Sequence, residues 1–318
     1  MEKIIDPIAK DLIRAELSID KLFRTTNKAN NELYVITHHN APNTMQEIGR
    51  LREEAYRFSG GGTGQATDID HYDTMDIPYK QLIVWNPEKE EIMGGYRFIH
   101  GKEVRTKENG MLGLSSAHLF AFSDLFIEEY LPNTIELGRS FVTVGYQSSL
   151  AGSKALFVMD NLWDGLGALI VLYPDLKYFF GKVTMYPNFG EEGRNMILYF
   201  LHKNFPDPDR LVYPIHPLRT HMDLSGLSKI FKGNNFKENY KILNSHVRNL
   251  SRNIPPLVNA YMNLSPTMRV FGTCINDEFG DVEETGIMIN VGEIFEDKRD
   301  RHIETYIEQL KVKGVRLD

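Results

Sequence analysis

Residues 134–144 of this chain read TIELGRSFVTV. The β-branched and aromatic residues predict a strand, and this strand carries two charged residues, Glu136 and Arg139. Charges inside a strand that otherwise belongs to a core are costly unless they are paired. Because side chains alternate along a strand, residues three apart would lie on opposite faces of the sheet. A bulge near Gly138 would bring both side chains into one cleft, so we expect a bulge there.

A helix is predicted upstream of this strand. Apolar residues follow helical spacing from 45 to 58. We expect Asn43 as the N-cap of this helix, with Gln46 completing a capping box. The glycine-rich run at 60–64 is incompatible with a continuing helix and marks its end.

The rest of the chain predicts a mixed succession of strands and helices. Residues 268–275 and 284–290 predict a late hairpin. Antiparallel hairpins among helices argue against a doubly wound parallel sheet. The sequence therefore predicts an α+β fold, with a mixed, mostly antiparallel central sheet flanked by helices and a helical insertion. The other predicted elements are strands at 81–85, 91–99 and 178–186 and helices at 153–172, 191–204, 236–250 and 293–311.

The domain organisation follows from the same pattern. We expect residues 1–40 to form an N-terminal extension and residues 41–318 to form a single domain. The stretch at about 205–250 is more polar and richer in Pro, Gly and Asn, so we expect it to be an insertion in that domain.

The overall composition narrows the class of protein. The chain has 318 residues, a net charge of -7 and one cysteine, Cys274. A single cysteine excludes an internal disulfide and a multi-cysteine metal site, and the negative charge argues against a general nucleic-acid binder. No apolar run approaches the roughly 18 residues of a membrane helix, and the first residues lack the apolar region of a signal peptide. We expect a cytoplasmic protein, with peripheral contact at the inner membrane left open.

Four segments carry charged residues in a distinctive order. They read LREEAY at 51–56, DIDHYD at 68–73, GGYRF at 94–98 and IELGRSFV at 135–142. In this order they resemble the motifs of one branch of the GNAT superfamily of N-acetyltransferases. That branch contains the acyl-homoserine lactone synthases and the hemolysin-like N-acyltransferases that make lyso-ornithine and lyso-glycine lipids. Tyr56 stands where the branch usually has Phe.

The resemblance extends further along the chain. NLWDGL at 161–166 resembles a helix of the hemolysin-like members, and similarity covers about 45–290. It implies that the late hairpin at 268–275 and 284–290 completes the sheet that contains 134–144. It implies a V-shaped opening between two parallel strands, in which the pantetheine arm of an acyl thioester donor lies along the strand at 134–144. It also implies that the donor phosphate binds a loop that opens the next helix. The donor-binding residues expected from this resemblance are Ser149, Gly152, Ser153 and Lys154, and no metal is expected.

The chemistry of amide formation suggests roles for the charged residues. Glu136 is the expected general base, acting on the amine directly or through a water. A backbone N–H near Phe141 or Val142 is expected to stabilise the oxyanion. Arg97 and Arg139 are expected to hold the carboxylate of the acceptor or to order the acidic loop at 68–73.

The acidic loop has its own expected roles. Asp70 and Asp73 would organise the site and bind the ammonium group of the acceptor, and Arg52 would pair with this loop, beside Tyr56. A purely structural ion-pair cluster is the alternative interpretation of the same charges.

The function implied is lipid biosynthesis. The hemolysin-like resemblance implies transfer of a 3-hydroxyacyl chain from acyl carrier protein to an amino acid such as glycine or ornithine, the first step of aminolipid synthesis. An acyl-CoA-dependent N-acetyltransferase of small amines is the alternative enzyme, and a membrane-perturbing or interaction protein is the non-enzymatic alternative.

A long-chain donor has two further requirements. The first is an apolar tunnel, and the second is a basic surface that binds acyl carrier protein. The candidate tunnel residues are Phe141, Leu156, Met159, Trp163, Phe180 and Met185, and the candidate basic residues are Lys154, Lys177, Lys182 and Arg194.

Overall fold

The computed structural model describes residues 1–107, 110–147 and 153–315, and this part of the chain contains ten strands. The strands are β1 (Leu22–Thr25), β2 (Glu32–Ile36), β3 (Lys80–Asn86), β4 (Glu91–His100), β5 (Phe120–Phe122), β6 (Thr134–Val142), β7 (Tyr178–Met185), β8 (Val212–Pro214), β9 (Arg269–Asn276) and β10 (Val282–Asn290). Eight of them form one sheet in the order β1-β2-β3-β4-β6-β7-β10-β9, and β5 pairs with β8 in a small second sheet.

Strands β6 and β7 are the parallel neighbours in an otherwise antiparallel sheet. Their paired stretch begins with Thr134 opposite Tyr178 and ends with Leu137 opposite Gly181. Beyond this point β6 continues to Val142 and β7 to Met185 without pairing to each other. The two strands therefore separate and leave an opening in the middle of the sheet.

Helices cover both faces of the sheet. They are α1 (Lys10–Glu16), α2 (Pro42–Ser59), α3 (His71–Thr74), α4 (Ser153–Leu172), α5 (Glu191–Asn204), α6 (Leu224–Ile230), α7 (Phe236–Asn249), α8 (Pro256–Met262), α9 (Glu296–Arg299) and α10 (Thr305–Val312). Helix α2 packs on the face that presents Ile83 and Phe141. Helix α4 packs on the opposite face, which presents Leu82 and Tyr96.

The predicted fold class is confirmed, because a large, mostly antiparallel sheet is flanked by helices. The predicted late hairpin is confirmed as well. Strands β9 and β10 are antiparallel, and β10 pairs with β7 in the sheet that contains β6.

The bulge predicted in β6 is present. Arg97 lies opposite Gly138, but Gly95 lies opposite Phe141, so β6 has one residue more than β4 over this stretch. Arg139 takes up the extra length with a φ of 49°, in the left-handed region that non-glycine residues rarely adopt. Such an unfavourable backbone conformation persists only where surrounding contacts stabilise it.

The start of α2 differs from the prediction. The helix begins at Pro42, and Asn43 is therefore inside it rather than at the N-cap. Proline is well suited to the first helical position because that position needs no N–H donor. The free N–H groups of Asn43 and Thr44 donate instead to the carboxylate of Glu16, at 3.0 Å and 2.7 Å. The cap thus comes from a residue 27 positions upstream.

The segments predicted as an N-terminal extension and as an insertion both contribute to the sheets. Residues 1–40 supply α1 and the strands β1 and β2, which extend the large sheet at one edge. Residues 205–250 supply β8, α6 and α7. Within the described residues, every helix is too short or too polar to cross a bilayer.

Candidate active site

A cavity of about 470 Å³ occupies the opening between β6 and β7. This volume lies within the range of about 300–1,000 Å³ that is usual for small-molecule sites. The cavity is lined from both faces of the sheet. Its lining includes Tyr56, Arg139, Lys182, Thr184, Phe279 and Glu284 on the α2 face and Tyr96, Leu162, Trp163, Phe179, Tyr261 and Ile287 on the α4 face.

Strand register explains why the two ends of the cavity differ. Thr184 lies opposite Glu284, and Lys182 lies opposite Gly286, so these side chains share the α2 face. Phe179 and the other odd-numbered residues of β7 face α4, where the cavity wall is apolar. The cavity therefore joins a polar end on the α2 face to an apolar end on the α4 face.

Several of the residues expected to form an acyl tunnel line the cavity. Met159 and Trp163 lie at its apolar end, whereas Phe141 and Phe180 line it on the α2 face. Met185 is outside the described lining and is buried in the core. The side chain of Leu156 lies outside the described residues.

The acidic loop is bound to β4 through Arg97. Its guanidinium Nη1 lies 2.7 Å from Asp70 Oδ1 and 3.1 Å from Asp73 Oδ2. Burial disfavours ionisation of both carboxyls, but the positive charges of Arg97 and the neighbouring arginines outweigh it. The pKa of Asp70 is well below its usual range, and the pKa of Asp73 is lowered. Arg97 was expected either to hold the carboxylate of the acceptor or to order the acidic loop. These contacts agree with the second role.

Arg52 stabilises the same loop from α2. Its Nη1 lies 3.2 Å from Asp73 Oδ2, and both side chains are fully buried. The other guanidinium nitrogen donates to Gln81, and Gln81 in turn donates to Asp73 Oδ1 at 2.9 Å. Arg52 pairs with the acidic loop as expected. Asp73 is surrounded by these donors, whereas Asp70 remains partly exposed, with 30% of its side chain accessible.

Arg139 reaches the acidic loop because of the bulge. Its Nε lies 2.9 Å from Asp68 Oδ2, and its Nη2 lies 3.6 Å from Asp70 Oδ2. The guanidinium also lies 4.4 Å from the centre of the Phe279 ring. Burial raises the pKa of the Asp68 carboxyl, although Arg139 opposes this effect. The structure thus brings Arg97, Arg139 and the acidic loop together.

Glu136 lies on the same face but outside the described lining of the cavity. It is buried, with 2% exposure. Its carboxylate accepts hydrogen bonds from Tyr79, from both the N–H and the hydroxyl of Ser115, and from the N–H of Ser116, the two N–H contacts being 3.1 Å. Three of these contacts reach Oε2 and one reaches Oε1, so most of the acceptor capacity of this carboxylate is used. Arg97 lies 5.0 Å from the centre of the Tyr79 ring and so connects Glu136 to the acidic loop.

Tyr56, Phe141 and Val142 all line the cavity. The Tyr56 hydroxyl donates to the Ser140 carbonyl at 3.2 Å, and burial raises the pKa of this phenol. The side-chain amide of Gln147 donates to the Val142 carbonyl at 3.1 Å. These contacts hold the end of β6 after the bulge.

Comparisons with known proteins agree with this architecture. The family described as "Acetyltransferase (GNAT) domain" matches residues 51–155. A glycine N(alpha)-acyltransferase from Bacteroides thetaiotaomicron is 64% identical over 308 residues, which are 97% of this chain and 91% of the relative. One of the same description from Phocaeicola vulgatus is 62% identical and covers 97% of this chain and 95% of the relative. The chain belongs to the glycine N(alpha)-acyltransferase family.

Membership of this family makes the chain an acyltransferase. Among solved structures, an N-acyl amino acid synthase from uncultured soil microbes aligns with 87% of this acyltransferase and 97% of its own chain. Its sequence identity is 10%, and its TM-score is 0.39.

The donor loop of this acyltransferase is only partly described. Ser149 and Gly152 lie outside the described residues. Ser153 and Lys154 begin α4, but their side chains are also outside the described part. Within that part, no group of three or more His, Cys, Asp or Glu side chains is arranged to hold a metal ion.

Two members of the expected basic surface are already paired. Lys182 faces the cavity and lies 3.5 Å from Glu284. Arg194 forms ion pairs with Glu191 and Glu283. Both side chains are largely buried, whereas Lys177 is exposed. Lys182 and Arg194 therefore do not fit the expected surface role.

Neither Glu284 nor its contact with Lys182 was predicted from the sequence. A detectable signal was present, since Glu284 lies in a predicted core strand, where an unpaired charge is costly. The same argument applies to Glu136. Glu284 lies in the late strand, outside the four motif segments.

Proposed function

We propose that this acyltransferase moves a 3-hydroxy fatty acyl group from acyl carrier protein to the amine of glycine, as the first step of aminolipid synthesis. The observation that carries the proposal is the cavity between β6 and β7, which is apolar on the α4 face and charged on the α2 face. An acyl chain fits the apolar end, an amino acid fits the charged end, and the thioester carbonyl would lie between them. The names of the relatives support glycine as the acceptor.

In this proposal the donor thioester lies along β6. The carbonyls of Ser140 and Val142 accept bonds from Tyr56 and Gln147, on the side of β6 away from β4. Because the N–H and C=O of one strand residue point to the same side, the Val142 N–H faces the opening. It is the proposed oxyanion donor, with Phe141 contributing its side chain to the wall.

The buried ion pairs have positioning roles in this proposal. Glu136 is buried outside the described cavity lining and held by its own donors, so we assign it to holding the Ser115–Ser116 segment against β6 rather than to proton transfer. Arg52 and Arg97 hold the acidic loop through Asp73 and Asp70. The loop in turn holds Arg139 at the edge of the cavity.

The proposal is tested with purified protein and a panel of donors and acceptors. The donors are 3-hydroxyacyl-acyl carrier protein, the corresponding acyl-CoA and acetyl-CoA, and the acceptors are glycine and ornithine. Mass spectrometry should detect N-acylglycine, with the carrier-protein donor giving the highest kcat/KM. Efficient use of acetyl-CoA with no reaction of the long-chain donor would favour the small-molecule N-acetyltransferase. Leakage from liposomes without any acyl transfer would favour the membrane-perturbing alternative.

The carrier-protein donor has a separate test at the start of α4. Lys154→Glu should raise KM for acyl carrier protein, and the effect should shrink as salt is added, since the attraction is electrostatic. The same variant should leave KM for a short acyl-pantetheine donor unchanged. An equal effect on both donors would argue against a protein-binding role of this residue.

A further inference from the structure

Lys182 and Glu284 form a charged pair inside the proposed acyltransfer cavity. Lys182 Nζ lies 3.5 Å from Glu284 Oε1, and the two side chains are 12% and 4% exposed. Both line the cavity on its α2 face, opposite the apolar acyl end. A pair of charges taken out of water is costly unless it is well satisfied, so its position in a substrate-sized cavity calls for a functional explanation.

Glu284 is less well satisfied than Glu136. Its carboxylate accepts from the Thr184 hydroxyl and from the Asn276 side-chain amide, both at 3.3 Å. These contacts are longer than the usual distances for charge-assisted hydrogen bonds. Since a carboxylate can accept about four hydrogen bonds, Glu284 retains acceptor capacity toward the cavity.

Lys182 has unused hydrogen-bond donor capacity. Among the described residues, Glu284 is the carboxylate within ion-pair distance of its ammonium group. Three charged residues of the described chain line the cavity, and the third, Arg139, is already opposed by Asp68 and Asp70. The pair on β7 and β10 is therefore the charged feature of the cavity that is available to a ligand.

We infer that the Lys182–Glu284 pair is the subsite for the zwitterionic acceptor, and that Glu284 is the catalytic base. This inference rests on the proposed transfer to an amino acid and names the residues that recognise it. A free amino acid carries an ammonium group and a carboxylate two bonds apart. It can insert into the pair with its ammonium on Glu284 and its carboxylate on Lys182, so that each buried charge keeps an opposite charge beside it.

The proton balance follows from this placement. Glu284 takes one proton from the acceptor ammonium and leaves a neutral amine. The amine nitrogen attacks the thioester carbonyl carbon, and the C–S bond breaks as the C–N bond forms. The second proton lost by the nitrogen goes to the departing thiolate. The products are the N-acyl amino acid, the free thiol and one proton that Glu284 releases to solvent.

The subsite is tested by comparing glycine with glycinamide, which keeps the amine but lacks the carboxylate. Lys182→Met should lower kcat/KM for glycine by roughly 10- to 100-fold, the usual effect of losing one contact to a charged group. Activity of this variant on glycinamide should fall less than its activity on glycine, and binding of a fatty acyl pantetheine reports whether its cavity is intact. Lys237→Met, which removes an exposed lysine of α7, is the control.

The base is tested with Glu284→Gln. Its kcat should fall by roughly 100-fold or more for both acceptors, the typical contribution of a general base. Glu283→Gln is the control, because Glu283 is the preceding residue and pairs with Arg194 on the other face of the sheet. Binding of a fatty acyl pantetheine by Glu284→Gln, measured by equilibrium dialysis, reports whether the cavity is intact.

Glycine binding measured by saturation-transfer NMR separates this inference from the proposed function. If Lys182→Met retains the glycine preference and glycine binding, and Glu284→Gln retains its kcat, the subsite is elsewhere even though the enzyme acylates glycine. If wild type binds glycine in a Lys182-dependent manner but acylates no amino acid, the proposed function fails and the subsite stands.

Discussion

Arg139 Nε lies 2.9 Å from Asp68 Oδ2, although 71 residues separate them in the chain. The contact forms because Arg139 adopts a left-handed φ of 49° at the bulge in β6. In a regular strand its side chain would point to the opposite face. The ion pair and the bulge therefore depend on each other, and together they place a guanidinium at the mouth of the cavity.

Arg139→Gln should destabilise the fold by about 3–5 kcal/mol at neutral pH, because it leaves the Asp68 carboxylate buried without its partner. Burial already raises the pKa of Asp68, so in the variant the folded state binds a proton at pH values where the unfolded state does not. Stability of the variant relative to wild type should therefore fall as pH rises above about 4. Urea denaturation across this pH range measures the effect, with exposed Arg252→Gln as the control. A loss of stability that is independent of pH would show that Asp68 is not the group left without a partner.

Asp73→Asn should show the opposite dependence on pH. Asp73 lies between Arg52 and Arg97, and its pKa is lowered in the folded state. The stability that it contributes is present above the unfolded pKa of about 4 and is lost as pH falls through the folded pKa. We expect a cost of about 3–5 kcal/mol at pH 7 that shrinks steadily in acid. Exposed Asp76→Asn, three residues away, should cost almost nothing at any pH.

Glu16→Ala should destabilise the start of α2. The Glu16 carboxylate accepts the N–H groups and the side-chain donors of both Asn43 and Thr44. Loss of a helix cap usually costs about 1–2 kcal/mol. Hydrogen exchange should show faster exchange of the Asn43 and Thr44 amides, with little change at the centre of the helix. Unchanged exchange at these two amides would show that the cap is dispensable.

Trp163→Ala should shift the chain-length preference of the enzyme toward longer acyl donors. Trp163 lines the apolar end of the cavity, where its ring lies edge-on to Tyr261 at 5.5 Å. Each extra methylene that the enlarged cavity buries is worth about 0.8 kcal/mol, or about a fourfold gain in kcat/KM. Competition among donors of graded length measures the shift. Trp85→Phe, on the opposite face of the sheet, is the control. An unchanged profile would place the acyl chain elsewhere.

The order of elements was predictable because strand and helix patterns are local. Residues 134–144 predicted β6, the run at 60–64 marked the end of α2, and the late hairpin was placed in the correct sheet. The bulge at Gly138 was also predictable, since two charges three apart in a core strand require it. Except for the sheet that the late hairpin joins, which the family resemblance implied, the determining information lies within a few consecutive residues.

The composition of the site depended on tertiary structure. The sequence identified Arg97, Glu136 and Arg139 as charges that needed partners, but the partners come from distant segments, such as Tyr79 and Ser115 for Glu136. Only the packing of β6 against these segments decided that Glu136 is enclosed by donors outside the described cavity lining. The register between β7 and β10 decided that Lys182 and Glu284 face the cavity together. The cap of α2 by Glu16 was decided in the same way. Local sequence specifies which backbone conformation and which charge a position carries, whereas the free energy of a buried charge depends on neighbours that only the folded chain brings within a few ångströms.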